Sequence, residues 1–297
     1  MRAGAVTGFV FAGTAALAFG LMNVVAKQSG LHPLVLAAGA YLVAGVALVP
    51  WLWTLRLRRG DLGAVALMVA SGGIAAPVLV FSGLRRTTAA NASFILTLEV
   101  VFTGLLAWWF LSERLGPRAR VGLALLLAAG LSVAAGSARG EAAGGSSLVG
   151  DLLVMASAFA WGVDNTVSTA LTARYRPHQL VALKALAGGA IVGLLVAGLG
   201  LEVPLDTPAV ASILFMGLFG IGLMTLLFYA ALQRIGATRT VAVFIPLGSL
   251  TGAVAANLVL DEALSRFHAA GAALLLVGMW VFVRSSLAHR PPIQPVP

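Results

Sequence analysis

Cysteine is absent from the 297 residues, which rules out disulfides, thiol catalysis and cysteine-ligated metal. Charge is scarce as well: Asp, Glu, Lys and Arg make up 10% of the chain, against roughly 25% in an ordinary soluble domain. Polar stretches long enough to build a soluble domain are missing. The longest, SARGEAAGGSS at 137–147, reads as a small-residue linker. No GxSxG, HExxH or Walker A pattern occurs, and His32, His178, His268 and His289 show no ligand spacing. These absences argue against nucleophile-elbow hydrolases, zinc proteases and chains that burn nucleotide themselves. No cofactor or metal is expected.

What the chain does have is apolar sequence. Hydrophobic residues reach 60% and the mean hydropathy is +1.00, too much for a soluble chain to cover. Charges cluster between apolar stretches of about 20 residues, the length of a bilayer-spanning helix. The fold class is therefore an all-α integral membrane protein, with ten transmembrane helices expected at 5–26, 33–55, 62–84, 88–111, 121–137, 148–171, 179–199, 208–232, 238–260 and 267–283. The opening MRAGAVTGFVFAGTAALAFG mimics a signal peptide, but its apolar run continues through Val25 and has a counterpart in mid-chain. It is read as the first span.

Net charge is +9, and no basic face is evident that would bind nucleic acid. Basic residues sit instead at span ends, where the positive-inside rule and anionic lipid account for them. One side collects Arg2, Arg56, Arg58, Arg59, Arg114, Arg118, Arg120, Arg174, Arg176, Arg234, Arg239, Arg284 and Arg290, thirteen in all. The other collects Lys27, Arg85, Arg86, Arg139 and Arg266, five in all. That bias places both termini in the cytoplasm and the protein in the cell (inner) membrane.

Two charged breaks resemble each other: FLSERLG at 110–116 and VLDEALS at 259–265. The echo extends into the helices that follow, pairing Glu113 with Glu262, Gly122 with Gly271, and the leucine triplet 125–127 with 274–276. A second match joins ALAFGLMNVV at 16–25 to AFAWGVDNTV at 158–167, pairing Gly20 with Gly162 and Asn23 with Asn165. Each half then holds five spans, 5–137 and 148–283, joined by a linker at 138–147. Five is odd, so the halves enter the membrane from opposite sides. Inverted-topology repeats of this kind point to a secondary transporter.

Ten spans in two halves, each with an apolar helix ending in ERL- or EAL-like residues before a small-residue helix, resemble the drug/metabolite transporter superfamily. The stretch NASFILTLEVVFTGLLAWWFLSERL at 91–115 is similar to the first half of its EamA family of permeases. The resemblance implies export of amino acids, other metabolites or drugs. Val100 departs from it, because the family often has proline after the glutamate; the second half keeps Pro246. Unequal bending of the two helices is expected.

Polar groups inside spans are where chemistry can live, because charge at bilayer depth is costly unless it faces protein or water. Glu99 lies about 12 residues from the cytoplasmic end of its span, roughly 18 Å deep. Its expected role is at a cavity, binding substrate or carrying a coupling proton. Asp164 and Lys184 fall at similar depth on neighbouring spans, either as charges of a substrate site or as a structural ion pair. Asn23 and Asn165 either cap hydrogen bonds between helices or flank the pathway. Trp161 is a candidate aromatic wall, with Phe19 as its counterpart. Glu113 and Glu262, with Gly122 and Gly271, mark the repeat; each glutamate is expected to cap or pair near the start of the helix that follows it.

The functional expectation is a secondary transporter of small organic metabolites, an exporter working by alternating access. An integral membrane enzyme acting on lipid and a non-transporting scaffold or sensor are the alternatives. The partners expected are a small-molecule substrate and membrane lipid, not nucleic acid, with the protein a monomer or a homodimer. Orientation is directly testable, since the chain has no cysteine of its own. A membrane-impermeant maleimide is expected to label Gln28→Cys in intact cells, and Gly60→Cys only once the membrane is opened. The reverse pattern would invert the topology.

Overall fold

In a computed structural model, residues 2–111, 116–139 and 147–288 are described. They form helices and connecting turns, with no strand among them. Ten helical segments follow one another: α1 (Arg2–Gln28), α2 (Pro33–Ala47), α3 (Arg59–Leu84), α4 (Ala89–Phe110), α5 (Pro117–Ala138), α6 (Leu148–Thr172), α7 (Pro177–Gly198), α8 (Thr207–Ile235), α9 (Ala237–Leu260) and α10 (Arg266–Ala288). Seven of them, α1, α3, α4, α5, α7, α8 and α9, are long and apolar enough to cross a membrane, while α2 and the Arg266–Phe282 stretch of α10 are shorter apolar segments. The remaining helix, α6, is long enough, but its polar residues dilute it, and Asp151, Asp164, Asn165 and Ser168 are all buried. The helix with the least membrane-like sequence is thus turned inward.

Helix starts follow local chemistry. Proline occupies the first turn of α2, α5, α7 and α8, where its missing N–H costs nothing. Side chains of Thr88, Ser147 and Asp206 accept from the first free N–H groups of α4, α6 and α8. The helix expected over 33–55 stops instead at Ala47. Pro50 opens a separate tight turn at Val49–Thr54, where Trp51 and Trp53 are exposed, as suits an interfacial belt.

Two helices widen in the middle. Val69–Ala75 in α3 and Met216–Leu223 in α8 take π-helical turns, a form that often marks functional sites. Bending elsewhere runs opposite to the expectation from proline. The Pro-free α4 breaks at residues 96–97, just before Glu99, while α9 stays continuous through Pro246. At the break, the Thr97 hydroxyl donates to the carbonyl of Phe94.

Packing partners exchange in pairs. Helix α1 packs on α9 as α6 packs on α4; α1 meets α8 as α6 meets α3; α2 meets α7, and α5 meets α10. In lipid there is no hydrophobic drive between helices, so close backbone approach supplies the contact. A Cβ added at Gly20 of α1 would lie 2.6 Å from the carbonyl oxygen of Gly248 and 2.7 Å from the amide of Gly252. Gly122 of α5 serves the α5–α10 side in the same way, against Phe282 and the carbonyl of Gly278, while Gly271 of α10 packs against the ring of Phe94 on α4 and the hydroxyl of Ser132 on α5.

Both ends of the bundle are tied across its halves. At one end Glu262 accepts hydrogen bonds from the amides of Ala89 and Ala90 and pairs with Lys27 at 3.2 Å. Its carboxylate therefore caps α4, from the other half of the chain, and not the helix that follows it. The reason is the left-handed Asp261 (φ 53°), which ends α9 and turns Glu262 back across the bundle. Glu113 lies outside the described residues. At the opposite end Asp61 accepts from Arg174 and Tyr175, each at 2.6 Å.

Gly20→Ala is expected to lower the thermal unfolding midpoint in detergent, by the equivalent of about 1–3 kcal/mol for an overpacked site. Gly13→Ala on the same helix meets nothing nearer than 3.9 Å and is expected to leave the midpoint unchanged or raise it.

Candidate functional site

Trp161, Asp164, Asn165 and Ser168 stand at i, i+3, i+4 and i+7 on α6, so one face of a single helix presents all four. All are buried. Around that face two polar clusters form. In the first, Lys184 Nζ of α7 donates to Asp164 Oδ2 at 2.7 Å. Ser168 donates to Asp164 Oδ1 at 3.0 Å, and the Tyr229 hydroxyl lies 2.6 Å from Ser168 Oγ and 3.2 Å from the same carboxylate oxygen. Lys184 Nζ also sits 4.7 Å above the ring of Tyr229. The ammonium thus has a carboxylate on one side and a π face on the other.

The wide turn of α3 makes this pairing possible. Gly72 runs directly against the Asp164 side chain, and a Cβ there would collide with its carboxylate. Gly73 packs against Gly188 and the backbone of Lys184 on α7. The carbonyl of Gly72 needs a donor, because in the π pattern its partner would be Pro77, which has no N–H. Tyr41 of α2 supplies one, its hydroxyl donating at 2.7 Å.

In the second cluster, Asn165 Nδ2 donates to Glu99 Oε1 at 2.7 Å and to Thr103 Oγ1 at 3.2 Å. Glu99 is 3% exposed, and its other oxygen, Oε2, is buried with no hydrogen-bond partner. The break at residues 96–97 puts Glu99 in the first turn of the following helical piece, turned toward α6.

Both clusters open on one cavity, which aromatic rings line on the far flank. Phe19 and Trp161, matched across the two halves in sequence, meet edge to face at 5.9 Å. Phe244 stacks at 4.9 Å from Phe19 and 4.7 Å from Phe228. Ile221, Met224 and Thr225 from the wide turn of α8 and the residues after it complete the lining. The space along these side chains, its open mouth included, comes to about 410 Å³, but only about 30 Å³ of it is wide enough to admit a water. That is room for about two water molecules. The cavity is narrow, and both ends of the bundle are tied.

Of the residues singled out from sequence, Glu99, Asp164, Lys184, Asn165 and Trp161 line this one cavity. Asn23 does not: its amide donates to Ser93 Oγ at 3.3 Å, between α1 and α4. Tyr41, Ser168, Tyr229, Phe228 and Phe244 were not anticipated. A signal for the tyrosines exists, since the chain has only three and two of them fall within apolar spans, where a hydroxyl must find a partner. Among the described residues, no three His, Asp or Glu side chains converge as a metal site.

An all-helical bundle with membrane-length apolar helices and a buried charged cavity defines a membrane protein built around a polar site. Two stretches of the chain, 6–134 and 148–284, match the model of the EamA-like transporter family, and the chain belongs to that family. It is a multi-pass membrane transporter, of the drug/metabolite transporter superfamily. An uncharacterized transporter of Methanothermobacter thermautotrophicus is 29% identical, over 92% of this chain and 85% of the relative. One of Archaeoglobus fulgidus is 26% identical over 84% and 88%, and the uncharacterized transporter YvbV of Bacillus subtilis is 28% identical over 70% and 67%. A solved crystal structure, 18% identical, covers 95% of this chain and 98% of its own with a TM-score of 0.75, which speaks for the fold.

Removing one member of a buried pair strands the other's charge, at about 3–5 kcal/mol. Lys184→Met is therefore expected to lower unfolding stability in detergent by that order. The double variant Asp164→Asn with Lys184→Met should recover much of the loss, and equal losses in both would show that the pair is not what matters.

Proposed function

We propose that the protein is a secondary transporter that exports small organic metabolites (amino acids or related compounds, or drugs) across the cell (inner) membrane. Transport proceeds by alternating access between two inverted five-helix repeats, 5–137 and 148–283, with both termini in the cytoplasm. The observation that carries this reading is the cavity itself. Three charged side chains and a wall of rings converge in mid-bundle, drawn from helices of both halves: α1, α2 and α4 on one side, α6, α7, α8 and α9 on the other. Such groups are expensive at membrane depth and mark substrate or ion paths.

The exchanged packing pairs support the repeat, as does the family model's matching the chain twice. So do the wide turns, which fall in the third helix of each half. Ties at both ends fit a state between the two open ones. In the cycle, the Asp61–Arg174–Tyr175 tie and the Lys27–Glu262 tie open alternately, while the Asp164–Lys184 pair holds α6 and α7 as one unit. Glu99, on the neighbouring helix, meets substrate or a coupling proton.

Flux in proteoliposomes tests the reading. Glu99→Gln keeps the shape but removes the charge, and is expected to cut flux about tenfold or more, the worth of one charge-assisted hydrogen bond. Expression and unfolding midpoint should hold. Flux unchanged over a range of pH would take Glu99 out of the mechanism, and no flux of any metabolite by well-folded protein would remove the transport reading.

A further inference from the structure

We infer that the cavity recognises a protonated organic amine that carries no carboxylate, its N–H donated to Glu99 Oε2 and its apolar body held among Phe19, Trp161, Phe228 and Phe244. The inference deepens the proposed transport function and rests on the cavity being its substrate site.

The first observation is the orphaned oxygen. Glu99 is 3% exposed, Oε1 is taken by Asn165, and Oε2 lies buried with no donor. Buried polar atoms are nearly always paired, so an unpaired oxygen beside a cavity asks for a donor from outside. Two neighbours have none to spare. Asn165 spends its amide group on Glu99 and Thr103, and Tyr41 gives its proton to the carbonyl of Gly72.

The second observation is charge. Lys184 is the cation among the lining residues, and Asp164 holds it at 2.7 Å over the ring of Tyr229. That pair is neutral overall, which leaves Glu99 as the carboxyl group with no cation beside it; a protonated amine would supply both the missing donor and the counterion that keeps it ionised. A carboxylate on the ligand would find no free cation and would face two acidic side chains. An amino acid therefore fits poorly, while its decarboxylated amine fits. A quaternary ammonium lacks the N–H that Oε2 requires.

The third observation is the wall. Phe19, Phe244 and Phe228 form a run of rings with centroids 4.7–4.9 Å apart, and Trp161 closes on Phe19 at 5.9 Å. Aromatic faces hold both an apolar body and a neighbouring ammonium. The cavity has room for little more than water, so the amine enters as the rings part.

Isothermal titration of the purified full chain in detergent, near neutral pH, compares three probes that share one ring: 2-phenylethylamine, phenylalanine and 2-phenylethanol. The amine is expected to bind at least about tenfold tighter than the other two. Glu99→Gln should bring it down to the level of the alcohol, and Glu99→Asp should restore part of the preference. Phenylalanine binding as tightly as the amine in the unaltered protein would overturn the inference, as would an amine preference that survives Glu99→Gln, or no binding of the amine. Proteoliposome flux separates the two claims. Transport of other metabolites without amine binding sinks the amine and leaves the transporter. Glu99-dependent amine binding without any flux does the opposite.

Discussion

Everything at the centre of this bundle turns on burying the ion pair of Asp164 and Lys184 in a protein with almost no water to spare. Two ions taken out of water lose several kcal/mol of solvation each, and only close geometry with further hydrogen bonds repays it. The surroundings are arranged to that end. Ser168 and Tyr229 add hydrogen bonds to the carboxylate, and the Tyr229 ring lies beneath the ammonium. The wide turn of α3 brings Gly72 against Asp164, where any side chain would collide. Pro77 frees the Gly72 carbonyl and Tyr41 answers it. A proline, a glycine and a tyrosine far apart in sequence are thus one device.

The pair also explains why the site is lopsided. Its charges come from α4, α6 and α7, while α1, α8 and α9 contribute mainly rings and apolar side chains. A cavity polar on one flank and aromatic on the other suits the amphipathic amine proposed above, with Glu99 on the polar flank and Phe244 on the aromatic one. A narrow cavity between two tied ends fits the midpoint of the alternating-access cycle proposed above. The ties are of different kinds: one is a carboxylate on helix amides and lysine, the other a carboxylate shared by arginine and tyrosine.

Composition and spacing alone carried the class: an all-helical membrane protein, a match between two halves, and Glu99, Asp164, Lys184, Asn165 and Trp161 as the polar and aromatic residues out of place in apolar helices. The stripe at i, i+3, i+4 and i+7 on α6 was legible for the same reason, since helical periodicity puts those positions on one face. Asn23 looked equivalent to Asn165, yet the two part company because a side chain's role depends on its neighbour. One faces Ser93 and the other Glu99. Glu262 was visible as a repeat marker, but its reach to α4 was not, since it depends on the turn at Asp261 and on which helix lies across the gap.

The sequence by itself determined which residues must be buried and satisfied, because lipid offers no hydrogen bonds and charge in it must find protein partners. Only the tertiary structure decided which partners those are. The break in α4 before Glu99, the wide turns of α3 and α8, and the rings drawn from α1, α8 and α9 arise from packing among helices distant in the chain. Periodicity within one helix carries no record of its neighbours, so the cavity they enclose, and the one carboxylate oxygen left open in it, appear only when the helices are assembled.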